Sequence, residues 1–183
     1  MSGLRIEIKN KKIKVFKQNK DLLFKSLRGL SVSPSSLDSL AKCGGFLSNG
    51  RARSSEAADE GNRQHEKMFR EICKAIIKKE KPKSKYPLYV LKQARKIKRG
   101  KIFLEWGRKF NWKADVYTLG FLDCMLVNEE KKTAEVIDYK SGYFKIHPKD
   151  NLQMIMYASV FLHDYKLKKI KLTIIPNLSL IHI

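Results

Sequence analysis

In the stretch EVIDYKSG, Glu135 to Gly142, an acid and an amine, Asp138 and Lys140, stand two residues apart at the end of an apolar run. If that run is a strand, alternate side chains share a face, so Asp138 and Lys140 project together while Ile137 and Tyr139 face the other way. A second acid, Asp123, lies in the preceding apolar run LGFLDCMLV. Two carboxylates brought close in a partly dry site repel each other unless a cation lies between them. Asp oxygens, a backbone carbonyl and waters make a hard oxygen site suited to Mg²⁺ or Mn²⁺, and a histidine nitrogen, which His65 can supply, tilts it toward Mn²⁺. Beside such a cation an amine can orient a nucleophile or stabilise charge on a phosphoryl group, which is the chemistry of phosphodiester cleavage. Gln153 and Tyr157, four apart on one helical face, carry an amide and a phenol able to hold a nucleic-acid strand. Bland readings stand beside these: a strand-end salt bridge for Asp138 and Lys140, a satisfied core-edge histidine for His65, ordinary helix residues for Gln153 and Tyr157. Glu105 and Glu135 read as solvated strand residues outside the site.

The elements that must position these groups follow from periodicity. LRIEIKNKKIKVFK, residues 4 to 17, alternates apolar and charged residues about a Lys9 to Lys12 turn and predicts a hairpin with one buried face. SPSSLDSLAKCGGFL supplies Ser and Asp caps for a short helix stopped by Gly44 and Gly45, with a polar loop to about Ser55. From about Ala57 to Lys79, Met68, Phe69, Ile72, Cys73, Ile76 and Ile77 recur at helical spacing, with His65 on or beside that face. A second helical piece is expected over Tyr86 to Ile97, ending in a basic cluster. KIFLEWGRKF, LGFLDCMLV and TAEVIDYK then read as a meander over residues 101 to 140. A helix over NLQMIMYASVFLHDY follows, capped by Asp150 or Asn151, with Leu152, Ile155, Met156 and Val160 toward the core, and IKLTIIP closes the order as a strand. Helix, three strands, helix, strand predicts an α/β or α+β chain with a mixed sheet flanked by helices.

The chain has 183 residues, enough for one domain, and 39 Lys and Arg against 18 Asp and Glu give a formal charge of +21. That excess suits a polyanionic partner, DNA above all, because each neutralised phosphate releases counterions. Widely spaced Cys43, Cys73 and Cys124 and the lack of a charged-then-apolar leader predict a cytoplasmic protein without a disulfide framework. No apolar run approaches the roughly 20 residues that cross a bilayer, so no membrane partner is expected.

At these residues the chain resembles a known family. GFLD, EVIDYKSG and QMIMY follow the G-x-x-D, D-x-K-[ST]-G and Q-x-x-x-Y pattern of RecB-like nucleases of the PD-(D/E)xK superfamily. SPSSLDSLAKC resembles that family's serine-rich opening helix, and GNRQH, Gly61 to His65, resembles its G-x-x-x-H helix. The likeness is to phage-encoded RecB-like exonucleases and also to CRISPR-associated relatives, and spans about residues 31 to 176. It implies a PD-(D/E)xK nuclease core in which Asp123, Asp138, the Tyr139 carbonyl and His65 hold Mg or Mn, with Asp123, Asp138 and Lys140 catalytic. Gln153, Tyr157 and Ser141 would contact DNA, with Ser141 and Gly142 shaping the turn that leaves the strand. The implied activity is metal-dependent DNA exonuclease in phage DNA processing, recombination or repair, inside a host cell, with a recombination or single-strand-binding protein as a partner. The competing reading is a catalytically inactive DNA-binding or phage structural protein of the same fold.

Some relatives bind an iron–sulfur cluster through one cysteine near the opening helix and three beyond the last strand. Here Cys43 matches only the first, Gly44 replaces the usual proline, and no cysteine follows Cys124, so no cluster is expected. Cys73 and Cys124 read as small buried hydrophobes. The expected division is a hairpin extension over 1–30, a RecB-like nuclease domain over 31–177 and a tail over 178–183. That tail, LSLIHI, resembles the product of one reading frame of a transposase sequencing adapter, which implies a natural protein cut short near Asn177.

Overall fold

Asn10 and Lys11 adopt left-handed backbone angles, φ 49° and 66°, and close strand β1 (Leu4–Lys9) onto β2 (Lys12–Lys17) through a two-residue turn. Such turns match the natural twist of a hairpin. The computed structural model describes residues 3–19, 30–42, 56–113, 116–141 and 148–176. The expectations for Cys43, for the stop at Gly44 and Gly45, for Gly142 and for the tail lie outside these residues.

After the hairpin come β3 (Leu30–Val32), a 3₁₀ turn at Pro34–Ser36, and helices α1 (Leu37–Lys42), α2 (Glu56–Ile77) and α3 (Lys85–Ala94). Strands β4 (Arg99–Lys113), β5 (Val116–Asn128) and β6 (Thr133–Lys140) form the meander, followed by α4 (Leu152–Tyr165) and β7 (Lys169–Pro176). The sheet runs β2-β1-β4-β5-β6-β7, with β3 also pairing β5. It is mixed: β1, β2, β4, β5 and β6 pair antiparallel, whereas β3 with β5 and β6 with β7 are parallel. A parallel return needs a crossover, and α4 supplies it between β6 and β7. The protein is therefore a mixed α/β fold whose central sheet is flanked by helices. No helix among the described residues is long and apolar enough to cross a membrane.

Each face of the sheet has its own core. Met68 and Ile72 of α2 and Val90 of α3 pack with Ile6, Leu104 and Ile137, while Met154 and Phe161 of α4 pack with Phe103, Leu122 and Val136. Cys124 is buried in the first cluster and Cys73 packs against it. Burial pushes the Cys73 thiol up to about 11, so it stays protonated at neutral pH.

The assembled sheet adds detail to these elements and alters some of them. All of β2 is exposed, because it ends the sheet and pairs only with β1; the predicted buried face belongs to β1 alone. The hairpin continues the main sheet, since β1 pairs β4 from Leu4 to Lys9. Ile77 and Ile155 are exposed; α4 buries Met156 as expected and turns Met154, Tyr157 and Phe161 inward with it. Helix α3 stops at Ala94, and Asn151 caps α4 by accepting from the Met154 N–H at 3.0 Å.

Gly120, which opens the GFLD motif, lies where the 3₁₀ turn and α4 meet β5. A Cβ there would overlap the Pro34 ring and stand 2.9 Å from the Tyr157 hydroxyl. Gly120→Ala is expected to cost about 1–3 kcal/mol, the usual range for overpacking. A urea midpoint unchanged by the substitution would show that the turn yields freely.

Candidate functional site

The site forms where the sheet forks. Strands β5 and β6 pair from Asn128↔Thr133 to Cys124↔Ile137 and no further, while β6 stays paired with β7 through Lys140. One step past the last β5–β6 pair stand Asp123 and Asp138. In place of continued backbone pairing, the Tyr139 N–H donates to Asp123 Oδ2 at 2.7 Å.

Strand β4 contributes a second irregularity. Its ladder with β5 joins Leu104 to Cys124 and Trp106 to Leu122, skipping Glu105 and Asp123 between them. Leu104 and Cys124 pack under α2 and α3, yet Trp106 and Leu122 pack on the α4 side. In a regular strand residues two apart share a face, so the alternation changes phase at these two acids. Glu105 has φ 47°, a left-handed conformation that costs a non-glycine residue of order 1–2 kcal/mol and recurs at functional sites. The outcome is a cluster: ligand atoms of His65, Glu105 and Asp123 all lie within 4.8 Å of one another.

Helix α2 delivers the histidine. Gly61, one turn before it, lets the helix approach the end of β6, where a Cβ would stand 3.3 Å from Ser141 Oγ. His65 Nδ1 is 3.2 Å from Asp123 Oδ1, and its ring meets Tyr139 edge-on with centroids 5.3 Å apart. Burial disfavours the imidazolium, but the hydrogen bond to Asp123 and the charges of Asp123, Glu105 and Asp138 outweigh it and raise the His65 pKa.

Asp138 and Lys140 share the other face of β6, as their spacing requires. Asp138 is only 4% exposed, and burial first, then repulsion from Asp123, pushes its carboxyl up to about 6. Its Oδ2 is 3.0 Å from Lys140 Nζ, and this ion pair offsets part of the rise. The amine donates to Gln153 Oε1 of α4 at 3.1 Å. Lys140 thus ties the buried acid to the crossover helix.

No protein-family model, curated protein or solved structure matches the chain. The site therefore rests on its own geometry.

Of the residues singled out in the sequence, His65 and Asp123 meet directly, Asp138 and Lys140 pair, and Gln153 holds the lysine. Asp138 lies outside the His65–Glu105–Asp123 group. Tyr139 is tied to Asp123 by its N–H, and Ser141 lies against α2 at Gly61. Tyr157 is 3% exposed and donates its hydroxyl to the Phe121 carbonyl at 3.0 Å, in the part of β5 that pairs with β4 but has parted from β6. Burial raises its phenol well above the ordinary value, so here it acts as a brace between α4 and β5.

Two acids first read as solvated are engaged. Glu105 joins the cluster, which regular alternation could not reveal because the phase changes at that residue. The available signal was its place between Leu104 and Trp106, an acid inside an apolar run. Glu105→Gln removes one negative donor and should weaken Mn²⁺ binding about 10- to 100-fold, read by calorimetric titration; unchanged affinity removes Glu105 from the site.

Glu135 Oε1 accepts from Tyr89 Oη at 2.6 Å, Thr173 Oγ1 at 2.6 Å and Lys171 Nζ at 2.9 Å. Burial would raise its pKa, but the hydrogen bonds from Thr173, Tyr89 and Lys171 outweigh it and hold the group below the usual carboxylate range. A depressed acid contributes stability above its unfolded pKa and loses it as pH falls through the folded value. Glu135→Gln should therefore lower stability at pH 7 by roughly 2 kcal/mol. The gap to the parent chain should shrink as pH falls below about 4, and a gap independent of pH in urea denaturation would contradict this.

Proposed function

We propose that this chain is a metal-dependent deoxyribonuclease with a RecB-like PD-(D/E)xK core, acting as an exonuclease on DNA. The observation that carries the reading is the fork, which gathers an imidazole, three carboxylates and one amine around the point where β5 and β6 part. Helix α2, the β4–β6 meander, crossover α4 and β7 bring these groups together, which supports the reading.

The donor set fits a divalent cation. One imidazole nitrogen and two carboxylates converge, and a third carboxylate, Asp138, is buried within reach of their charges. Mg²⁺ or Mn²⁺ would be held by His65, Glu105 and Asp123, with Asp138 and the Tyr139 carbonyl as further donors. When bound, such a cation supplies positive charge to phosphoryl oxygens and makes water a better nucleophile. Lys140, fixed by Asp138 and Gln153, places a second positive charge beside the reacting phosphate. A cavity of about 370 Å³ lined by Gln64, Lys67, Lys85, Tyr86 and Tyr139 opens next to the site and offers two amines to the DNA backbone.

The deciding experiment digests end-labelled linear and closed circular DNA with Mg²⁺ or Mn²⁺, using Asp123→Ala and Lys140→Ala as controls. Loss of linear DNA alone supports an exonuclease. Cleavage that survives both substitutions refutes the site, and DNA binding without cleavage in Mn²⁺ leaves a non-catalytic binding module.

A further inference from the structure

A groove of about 890 Å³ lies between the β1–β2 hairpin and helices α2 and α3. Ile8, Ile76, Leu88, Leu91, Ile97 and Ile102 give it an apolar lining, to which Ile13 adds. Ile13 and Leu88 are 45% and 42% exposed, so part of this apolar surface faces water. Five cations, Lys11, Lys79, Lys81, Lys92 and Arg95, line it against a single acid, Glu80. None of the five forms an ion pair among the described residues.

We propose that this groove docks a short acidic segment of a partner protein, anchored by apolar side chains. The volume is that of a pocket for a ligand or a few side chains. These cations select a negative occupant, and complementary charge speeds and orients such encounters. The apolar lining then discriminates among anions: it rewards aliphatic or aromatic anchors and offers nothing to a sugar–phosphate backbone. A second copy of this chain is a poor fit, since each copy carries +21.

Two of this chain's own segments are also mismatched in charge. KDLLFKSLRG, residues 20–29, has Lys20, Lys25 and Arg28 against Asp21, and CGGFLSNGRARSS, residues 43–55, has Arg51 and Arg53 with no acid. Charge therefore favours a separate molecule as the occupant, whether or not the chain cleaves DNA.

The test selects peptides from a random displayed library on the immobilised full chain and measures the winners by fluorescence anisotropy. Acidic peptides carrying Leu, Ile or Phe are expected, weakening with added salt and at least about tenfold weaker on Leu88→Glu/Arg95→Glu, which changes two exposed side chains. Circular dichroism of that variant checks that the fold is intact; single substitutions replace it if the double variant unfolds. Enrichment of neutral or basic peptides, no enrichment, or full binding by the intact variant overturns the proposal. So does displacement by a single-stranded oligonucleotide, which makes the groove a nucleic-acid path. Displacement by the 20–29 or 43–55 peptide assigns the groove to this chain's own segment and overturns it equally.

Discussion

Lys140→Ala is expected to lower Mn²⁺-dependent cleavage of linear DNA by about 10²- to 10³-fold, the usual effect of removing one transition-state electrostatic partner. The amine is held from two sides, by Asp138 Oδ2 at 3.0 Å and Gln153 Oε1 at 3.1 Å, so a phosphate would meet it already oriented. Its loss also leaves Asp138 buried without its nearest positive charge, and that carboxyl should rise further above about 6. Metal binding through His65, Glu105 and Asp123 should persist. A variant that binds Mn²⁺ normally and barely cleaves is therefore the expected result; undiminished kcat would make the Asp138–Lys140 pair a structural salt bridge.

Asp138→Asn should abolish cleavage and yet stabilise the protein. The carboxylate is 4% exposed, and its one close charge partner is Lys140, with Nζ 3.0 Å from Oδ2. Burial and repulsion from Asp123 both disfavour its charge and push it up to about 6. An ionised acid with a raised pKa destabilises the fold above that pKa, and the penalty disappears as pH falls and the group takes up a proton. An amide of the same shape carries no such charge. Without divalent metal at pH 7, Asp138→Asn should gain roughly 2 kcal/mol, or about 4–8 °C in melting temperature. The gain should shrink as pH falls below about 6 and vanish only below about 4, where the unfolded carboxyl is protonated as well, and added Mn²⁺ should narrow it by stabilising the parent chain alone. A variant melting lower than the parent at pH 7 would show that the buried charge is fully compensated.

The elements were largely legible because local rules decide them. The apolar spacing from Met68 to Ile76 marks α2, and the alternating Leu4 to Lys17 segment with its short turn marks a hairpin. Facing was harder to read. Ile77 and Ile155 fit a helical pattern but stay exposed, and β2 alternates yet is exposed along its length. Burial needs a partner surface, and no partner is written into a segment's own periodicity.

For the site, strand geometry alone made Asp138 and Lys140 neighbours, since residues two apart on a strand point together whatever the fold. The chain also carried His65, Asp123 and Gln153 as the right chemical types. Tertiary structure decided the rest. The fork beyond Cys124↔Ile137 placed Asp123 against Asp138, and the phase change in β4 brought Glu105 into a cluster from which alternation excluded it. The close packing of α4 against β5 made Tyr157 a brace. Glu135 became an anchor because Tyr89 and Thr173 reach it from α3 and β7. Each outcome depends on contacts between segments distant in sequence, and only the assembled sheet determines which carboxylates share a low-dielectric space and which lie alone.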